Sequence, residues 1–185
     1  MKKQDIINLL PITADRLIIR VATLGDAQLI QDAKESRDAN LLQRWMSWSS
    51  DEGMSMQGTI DYLNRADKDA RTIALLGVDK ATGAHVLSTG LDAEDDDFTI
   101  VSTGWWLSHG HEGKGLAYEG MSALIDFCKV NRVCQTMTSC HYEGNERSQS
   151  LMLRLGFLYK NTEDKAHQCH LNGIMVDVLN YELKI

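Results

Sequence analysis

Two glycines flank a lysine at Gly113, Lys114 and Gly115, and the chain then turns at once into the helix-forming run Leu116-Ala117-Tyr118-Glu119. The strand-like residues Trp105, Trp106 and Leu107 come shortly before it. A strand, a glycine turn and a helix start together make an anion site. Backbone N–H groups point outward, the helix dipole favours negative charge, and glycine lets a ligand come close to the backbone. A phosphorylated ligand is the guest that suits such a turn. Spacing separates the possible phosphate loops. A Walker-type loop needs G-x-x-x-x-G-K-[ST], and here Gly115 stands where the magnesium-binding hydroxyl belongs. A dinucleotide fingerprint begun at Gly113 and Gly115 meets Tyr118 at its third glycine, and an antiparallel-looking first half argues against that fold. A turn that merely reverses the chain is the plain alternative for this stretch by itself.

Other groups could also do chemistry. Asn145 and Ser148 lie one turn apart in a helical pattern and so share a face; a helix cap and a surface hydroxyl are their structural readings. The run His167-Gln168-Cys169-His170 invites a metal, but on a strand only His167 and Cys169 face the same side, and no second pair has ligand spacing. Trp45, Trp48, Met54 and Met56 suit either a pocket wall or a core. The acidic run from Asp92 to Asp97 could attract a cation or form a solvated turn.

These groups need a scaffold, and periodicity supplies one. Residues 16–22 read as a buried strand, 26–45 as a helix and 55–66 as a second, shorter helix. Strands are expected at 72–79 and 85–92, joined by a hairpin at Gly83, and then at 98–108. From Gly115 onward, Ala117, Met121, Leu124, Ile125 and Cys128 form one apolar helical face. A strand over 132–141, a helix from Asn145 to a stop at Gly156, a strand from Phe157 and a last strand over 174–185 complete the order.

Composition narrows the class. The 185 residues are 43% hydrophobic and 24% charged, enough for one substantial core, so a single domain over 1–185 is expected. A net charge of -7 argues against a nucleic-acid partner, which would need many Lys and Arg contacts. Four cysteines without a C-x-x-C pair read as reduced intracellular thiols. No apolar run approaches the roughly 20 residues of a membrane span, and "MKKQDIINLLPIT" lacks a cleavage signal. A cytoplasmic location without a membrane partner follows as the expectation.

With these elements in order, "EGKGLA" resembles the Q/R-G-x-G-x-G/A phosphate loop of the GNAT superfamily of N-acetyltransferases, which grips the pyrophosphate of acetyl-CoA. More narrowly, the chain is similar to the RimJ/RimL-type branch, the ribosomal-protein-alanine N-acetyltransferases. The likeness runs through "TADRLIIRVATLGDA", "STGWWL", "NERSQSLMLRLGF" and "LNGIMVDVLNY", the last with Gly173, Asp177 and Tyr181 at family-like positions. Glu112 stands where the family usually has Gln, Arg or an aromatic residue. The resemblance implies an α/β fold: a mixed, mostly antiparallel sheet of about seven strands, splayed between its parallel fourth and fifth strands, with helices on both faces.

It also implies roles. Backbone groups of Trp106 and Leu107 would pair with the pantetheine arm, while Gly113, Lys114, Gly115, Leu116 and Ala117 surround the pyrophosphate. Asn145 and Ser148 would sit near the thioester, with Ser148 protonating the leaving sulfur and a backbone N–H near Leu107, at a strand bulge, stabilising the oxyanion. No metal is required. Cys169 occupies the position of the carboxylate considered as a base in that branch; His170, His167, His141 and Glu143 are nearby substitutes, and His170 is taken as the candidate. The implied activity is acetyl transfer from acetyl-CoA to a primary amine. A protein N-terminus is preferred because an α-amine, with pKa about 7.7 to 8.0, is roughly a tenth neutral near pH 7, whereas lysine is neutral in less than about one molecule per thousand. A polyamine or aminoglycoside acceptor, a non-catalytic acyl-CoA-binding protein and a homodimer are the further possibilities.

Overall fold

The computed structural model describes residues 1–36 and 38–185. Its centre is one nine-stranded sheet. A short helix α1 (Lys3–Ile7) precedes β1 (Ile12–Thr13) and β2 (Leu17–Val21), and a 3-10 turn leads into α2 (Ala27–Glu35). Next come α3 (Ala39–Trp45), α4 (Asp51–Met54) and α5 (Met56–Lys68). The middle of the chain forms β3 (Thr72–Asp79), β4 (His85–Ala93), β5 (Ile100–Ser102) and β6 (Trp105–Leu107). The remainder is α6 (Leu116–Asn131), β7 (Thr136–Tyr142), α7 (Glu146–Arg154), β8 (Leu158–Gln168) and β9 (Met175–Lys184).

The long helix expected over 26–45 is two helices, with Arg37, inside that stretch, outside the described residues. Side-chain caps divide this part of the chain. Asp38 accepts from the Asn40 N–H to start α3, Ser50 from Gly53 to start α4, and Ser55 from Gly58 to start α5. Each cap gives the backbone a local partner that competes with one continuous helix. The strand count exceeds the expected seven for two reasons. Ile12–Thr13 adds a short edge to β2, and the run expected as one strand over 98–108 is divided into β5 and β6 at Thr103 and Gly104.

Alternation along the strands assigns two faces. Ile73, Leu75, Leu87, Leu91, Val101 and Met137 enter the main core with Met121, Leu124 and Ile125 of α6 and Met152 of α7. The opposite face carries a smaller cluster in which Ala27, Ile30, Leu42 and Leu63 of α2, α3 and α5 meet Trp106. Helices therefore cover both faces. α6 lies close to the sheet at Gly120, where an added Cβ would come within 2.6 Å of Leu87 Cδ2.

The sheet is antiparallel except where β5 runs parallel to β7, with Ser102 opposite Thr138 as the last paired rung. The Thr103 N–H still reaches the Thr138 carbonyl at 2.9 Å, and Ser139 Oγ donates to the Thr103 carbonyl at 2.8 Å. Beyond that point β6 follows β4 and β7 follows β9, so the two strands part. The splay expected between the parallel strands lies here.

Candidate acetyl-transfer site

The parting strands open a cleft of about 770 Å³. Its floor is the sheet face made by Thr72, Ala74, Ser88, Gly90, Asp92 and Trp106, five of them small or polar residues that leave room above the strands. Trp45, Lys34, Thr59 and Tyr62 close it from the helices and Trp48 from the connection between α3 and α4, and Ser139, Asn145 and Ser148 line the side beyond the splay.

The register fixes what β6 offers to this space. Ser88 opposes Trp106, Leu87 opposes Leu107, and the Ser108 N–H donates to the Val86 carbonyl at 3.1 Å. In an antiparallel ladder the hydrogen-bonding direction alternates, so Trp106 directs its backbone groups to β4 and Leu107 directs its own to the opposite edge. Of the two residues expected to meet a pantetheine arm, Leu107 has the outward backbone. Trp106 contributes its indole, which is buried against Trp48 at 5.9 Å and His85 at 5.1 Å. No bulge lies at Leu107, because the pairing of β4 keeps one register from Asp92 opposite Ser102 to Leu87 opposite Leu107. The opening comes instead from the loss of β7 on the other edge.

Past Leu107 the chain forms the glycine turn. Gly113 and Gly115 adopt φ of 73° and 76°, a left-handed geometry that side chains resist. An added Cβ would meet nothing within 4 Å at Gly113 and only Arg16 Nη2, at 3.8 Å, at Gly115. α6 begins at Leu116 with no side-chain cap. Lys114, Leu116 and Ala117 flank this approachable backbone, and a pyrophosphate fits the arrangement.

Arg16, which the sequence reading did not single out, reinforces the turn. Its Nε pairs with Glu119 Oε2 at 2.7 Å, its backbone N–H donates to Glu119 Oε1 at 2.6 Å, and Nη1 donates to the Lys114 carbonyl at 3.1 Å. Glu119 is one turn into α6, so the pair holds a guanidinium beside the helix start.

Asn145 and Ser148 both line the cleft. Asn145 is also the cap of α7, its Oδ1 accepting the Ser148 N–H at 3.2 Å, so one contact fixes both residues. Trp45 and Trp48 line the cleft too, whereas Met54 and Met56 pack against the smaller core.

The histidines are engaged by other partners. His170 is exposed at the turn between β8 and β9, outside the cleft lining, with Nε2 donating to the Ser47 carbonyl at 2.8 Å. His167 stacks on Tyr142 at 4.0 Å, and Cys169 is buried with its thiol 3.9 Å from the Gln43 and Arg44 carbonyls. Among the described residues no group of His, Cys, Asp and Glu is arranged to hold a metal ion. His141 lines the cleft but has both ring nitrogens engaged. Nδ1 must donate to the Tyr142 carbonyl at 3.0 Å, so in the neutral ring Nε2 accepts from the Tyr181 hydroxyl at 3.2 Å. Glu143 is exposed in the connection before α7 and does not line the cleft.

Lys34 is a second group that sequence reasoning missed. It is only 6% exposed, and Nζ donates to the Gly53 carbonyl at 2.8 Å and to Thr59 Oγ1 at 2.7 Å. The ammonium also lies 4.9 Å from the Trp48 ring centroid. Burial alone lowers its pKa to about 8. The signal was periodicity: Lys34 shares the buried stripe of α2 with Ala27, Ile30 and Gln31. Two acidic groups in the cleft shift the other way, as desolvation within the cleft raises the Asp92 carboxyl and pushes the Tyr62 phenol up to about 12, although both residues keep surface in contact with solvent.

A splayed mixed sheet with an uncapped helix start behind a glycine turn defines an acyl-CoA-dependent N-acyltransferase architecture. The chain belongs to the acetyltransferase (GNAT) domain family, whose model matches residues 16–158. A putative ribosomal N-acetyltransferase, YdaF of Bacillus subtilis, is 31% identical over 81 residues, a match spanning 43% of this chain and 43% of that protein. Among solved structures, RimL, the ribosomal L7/L12 alpha-N-protein acetyltransferase in complex with coenzyme A, superposes with a TM-score of 0.85 at 17% identity, covering 95% of this chain and 98% of that one. The ribosomal-protein-S5-alanine acetyltransferase of Vibrio fischeri gives 0.81 at 17% identity over 95% and 96%. The microcin C7 self-immunity acetyltransferase MccE, in complex with acetyl-CoA and AMP, gives 0.79 at 18% over 92% and 93%. At these identities the likeness is one of fold.

Proposed function

We propose that the protein moves an acetyl group from acetyl-CoA directly to the N-terminal amine of a protein, within one GNAT domain spanning residues 1–185 and in the cytoplasm. The observation that carries this reading is the position of the cleft. It begins where the chain, passing from β5 to β6, leaves β7, with the glycine turn beyond the end of β6, and it extends over the sheet to Asp92 opposite Ser102. At about 3.3 Å per residue, the five steps from Ser102 to Leu107 span about 17 Å, room for a donor arm and an extended peptide end to meet from opposite directions. The ribosomal N-acetyltransferases among its relatives support the choice of acceptor.

Direct transfer asks three things of the chain. The amine must be neutral, and an α-amine with pKa about 7.7 to 8.0 supplies roughly a tenth of its population in that form near pH 7, so no strong base is needed. The tetrahedral oxyanion needs a donor, which the backbone of Leu107 provides from the outward edge of β6. The departing thiolate needs a proton, and Ser148, fixed at the start of α7, is the hydroxyl placed to assist. Because a thiol has a pKa of about 8.5, its thiolate leaves tolerably and the serine need only help. Glu52, Asp61 and Asp92 give the acceptor part of the cleft three carboxylates, which favours a cationic peptide end.

Thiol release from acetyl-CoA tests the reading, with peptides beginning in Ser or Ala compared with the same peptides N-terminally blocked, with spermidine and with an aminoglycoside. Turnover confined to free N-termini is expected. Turnover of the small amines alone would replace the acceptor, and acetyl-CoA binding without turnover of any amine would point to a binding protein.

A further inference from the structure

We infer that Lys34 is itself an acetyl acceptor, so that the protein acetylates this side chain from acetyl-CoA bound in its own cleft. The inference rests on the acetyl-CoA reading above and adds a modification site to it.

A buried ammonium ordinarily has a carboxylate partner, because removing an unpaired charge from water is strongly unfavourable. Among the described residues Lys34 has none within salt-bridge distance; its neighbours are a carbonyl, a hydroxyl and the Trp48 ring. That pair of acceptors is what a neutral amine needs. Its two N–H groups donate to the Gly53 carbonyl and Thr59 Oγ1, while Thr59 Oγ1 passes its own hydrogen to Gln31 Oε1 at 2.9 Å. The nitrogen lone pair is then left in the remaining tetrahedral direction on a side chain that lines the cleft. Lys34, Trp48 and Trp106 form one continuous wall, with 4.9 Å from Nζ to the first ring and 5.9 Å between the two rings. Trp106 lies on β6, beside the strand edge assigned above to the donor arm.

The pKa of about 8 agrees with this geometry, since it makes roughly a tenth of the side chain neutral at pH 7. Glu52 of α4, Asp61, Tyr62 and Arg65 of α5, Asp92 of β4 and His141 of β7 line the same cleft, and Glu35 follows on α2, bonded to Gln31. None of these offsets the effect of burial on Lys34.

In the step itself, the Nζ lone pair attacks the thioester carbonyl, an N–C bond forms and the C–S bond breaks. Coenzyme A leaves as the thiol, carrying the proton lost by nitrogen. The product amide has one N–H, so it keeps one of the two contacts to Gly53 and Thr59, and its acetyl group occupies the cleft. Acetylation at Lys34 therefore lowers turnover of an external amine.

The test uses the purified full chain and acetyl-CoA with an isotopically heavy acetyl group, followed by digestion and mass-spectrometric mapping. Lys34 should take up label about tenfold or more faster than the exposed Lys68 and Lys129, with a rate that rises between pH 7 and pH 9. Label at Lys34 no faster than at those lysines overturns the proposal. Gly115→Asp, which places a carboxylate in the pyrophosphate loop, should abolish Lys34 labelling and spare the slow surface labelling; equal Lys34 labelling in the variant also overturns it. Calorimetry on the unaltered chain separates the two levels of the argument. Absence of acetyl-CoA binding defeats the donor reading, whereas binding without Lys34 label defeats this inference alone.

Discussion

Thr89 and Thr103 face each other across the interval between the β5 and β6 pairings, their hydroxyl oxygens 3.3 Å apart, and each bonds the carbonyl of the glycine beside the other. Thr89 Oγ1 donates to Gly104 at 2.8 Å and Thr103 Oγ1 to Gly90 at 2.8 Å. Side-chain hydroxyls thus serve two carbonyls of the ladder at the point where the sheet begins to splay. Thr103→Val keeps the shape and removes the donor to Gly90 at a buried position. Losing that bond should cost about 1–3 kcal/mol. Chemical denaturation of the two proteins measures it, and an unchanged midpoint would remove the threonine pair from the account of the opening.

Arg16 joins the first strands to the glycine turn, and its effect should appear in ligand binding more than in folding. The Arg16–Glu119 pair is about half exposed on the arginine side, so its loss should change stability by no more than about 1 kcal/mol. Arg16→Ala removes a guanidinium whose Nη2 would lie 3.8 Å from a Cβ at Gly115. Acetyl-CoA affinity should fall by about threefold to tenfold, a factor that corresponds to one partly solvated charge-assisted bond. Calorimetric titration checks it, and the loss should shrink as salt is raised.

Gly120 shows how closely α6 must approach the sheet to bring its N-terminus to the loop. A Cβ there would lie 2.6 Å from Leu87 Cδ2 and 3.3 Å from Leu17 Cδ1, both ends of side chains that can shift. Gly120→Ala gains up to about 1 kcal/mol of helix propensity and loses about 1–3 kcal/mol to overpacking. A net loss of about 1 kcal/mol, seen as a lower melting temperature, is the expected result.

Lys34 should weaken the fold at neutral pH and weaken it less in alkali. Its pKa is about 8 in the folded chain against an ordinary value of 10.5, so between these pH values the unfolded chain binds more protons. Stability contributed through this group therefore rises as pH increases from about 8 to 10.5, and below about 8 the full penalty applies. Lys34→Met removes the titration and also the bonds to Gly53 and Thr59. The variant should match or exceed the parent by about 1 kcal/mol at pH 7, and its advantage should diminish toward pH 10. Urea melts across that range decide the matter, and parallel curves would show that Lys34 does not titrate as described.

The glycine turn, the apolar face of α6 and the alternating strands were legible in the sequence because each is a local demand. Positive φ at Gly113 and Gly115 calls for glycine, and Met121, Leu124 and Ile125 recur at a spacing that only a buried helix face explains. The break between α2 and α3 was harder to read. Residues 26–45 have helical composition throughout, and the cap at Asp38 competes with that composition through a single side-chain bond.

Tertiary structure alone decided which groups meet. His170, a candidate on sequence position, is drawn to the Ser47 carbonyl, while Lys34, 136 residues earlier in the chain, lines the cleft. Trp106 and Leu107 are neighbours of similar chemistry, yet the register with Ser88 and Leu87 turns one backbone inward and the other outward. Local propensity cannot settle such choices. They depend on strand register and on how helices distant in sequence pack over the sheet, where many cross-strand hydrogen bonds and buried side chains act together to fix one arrangement.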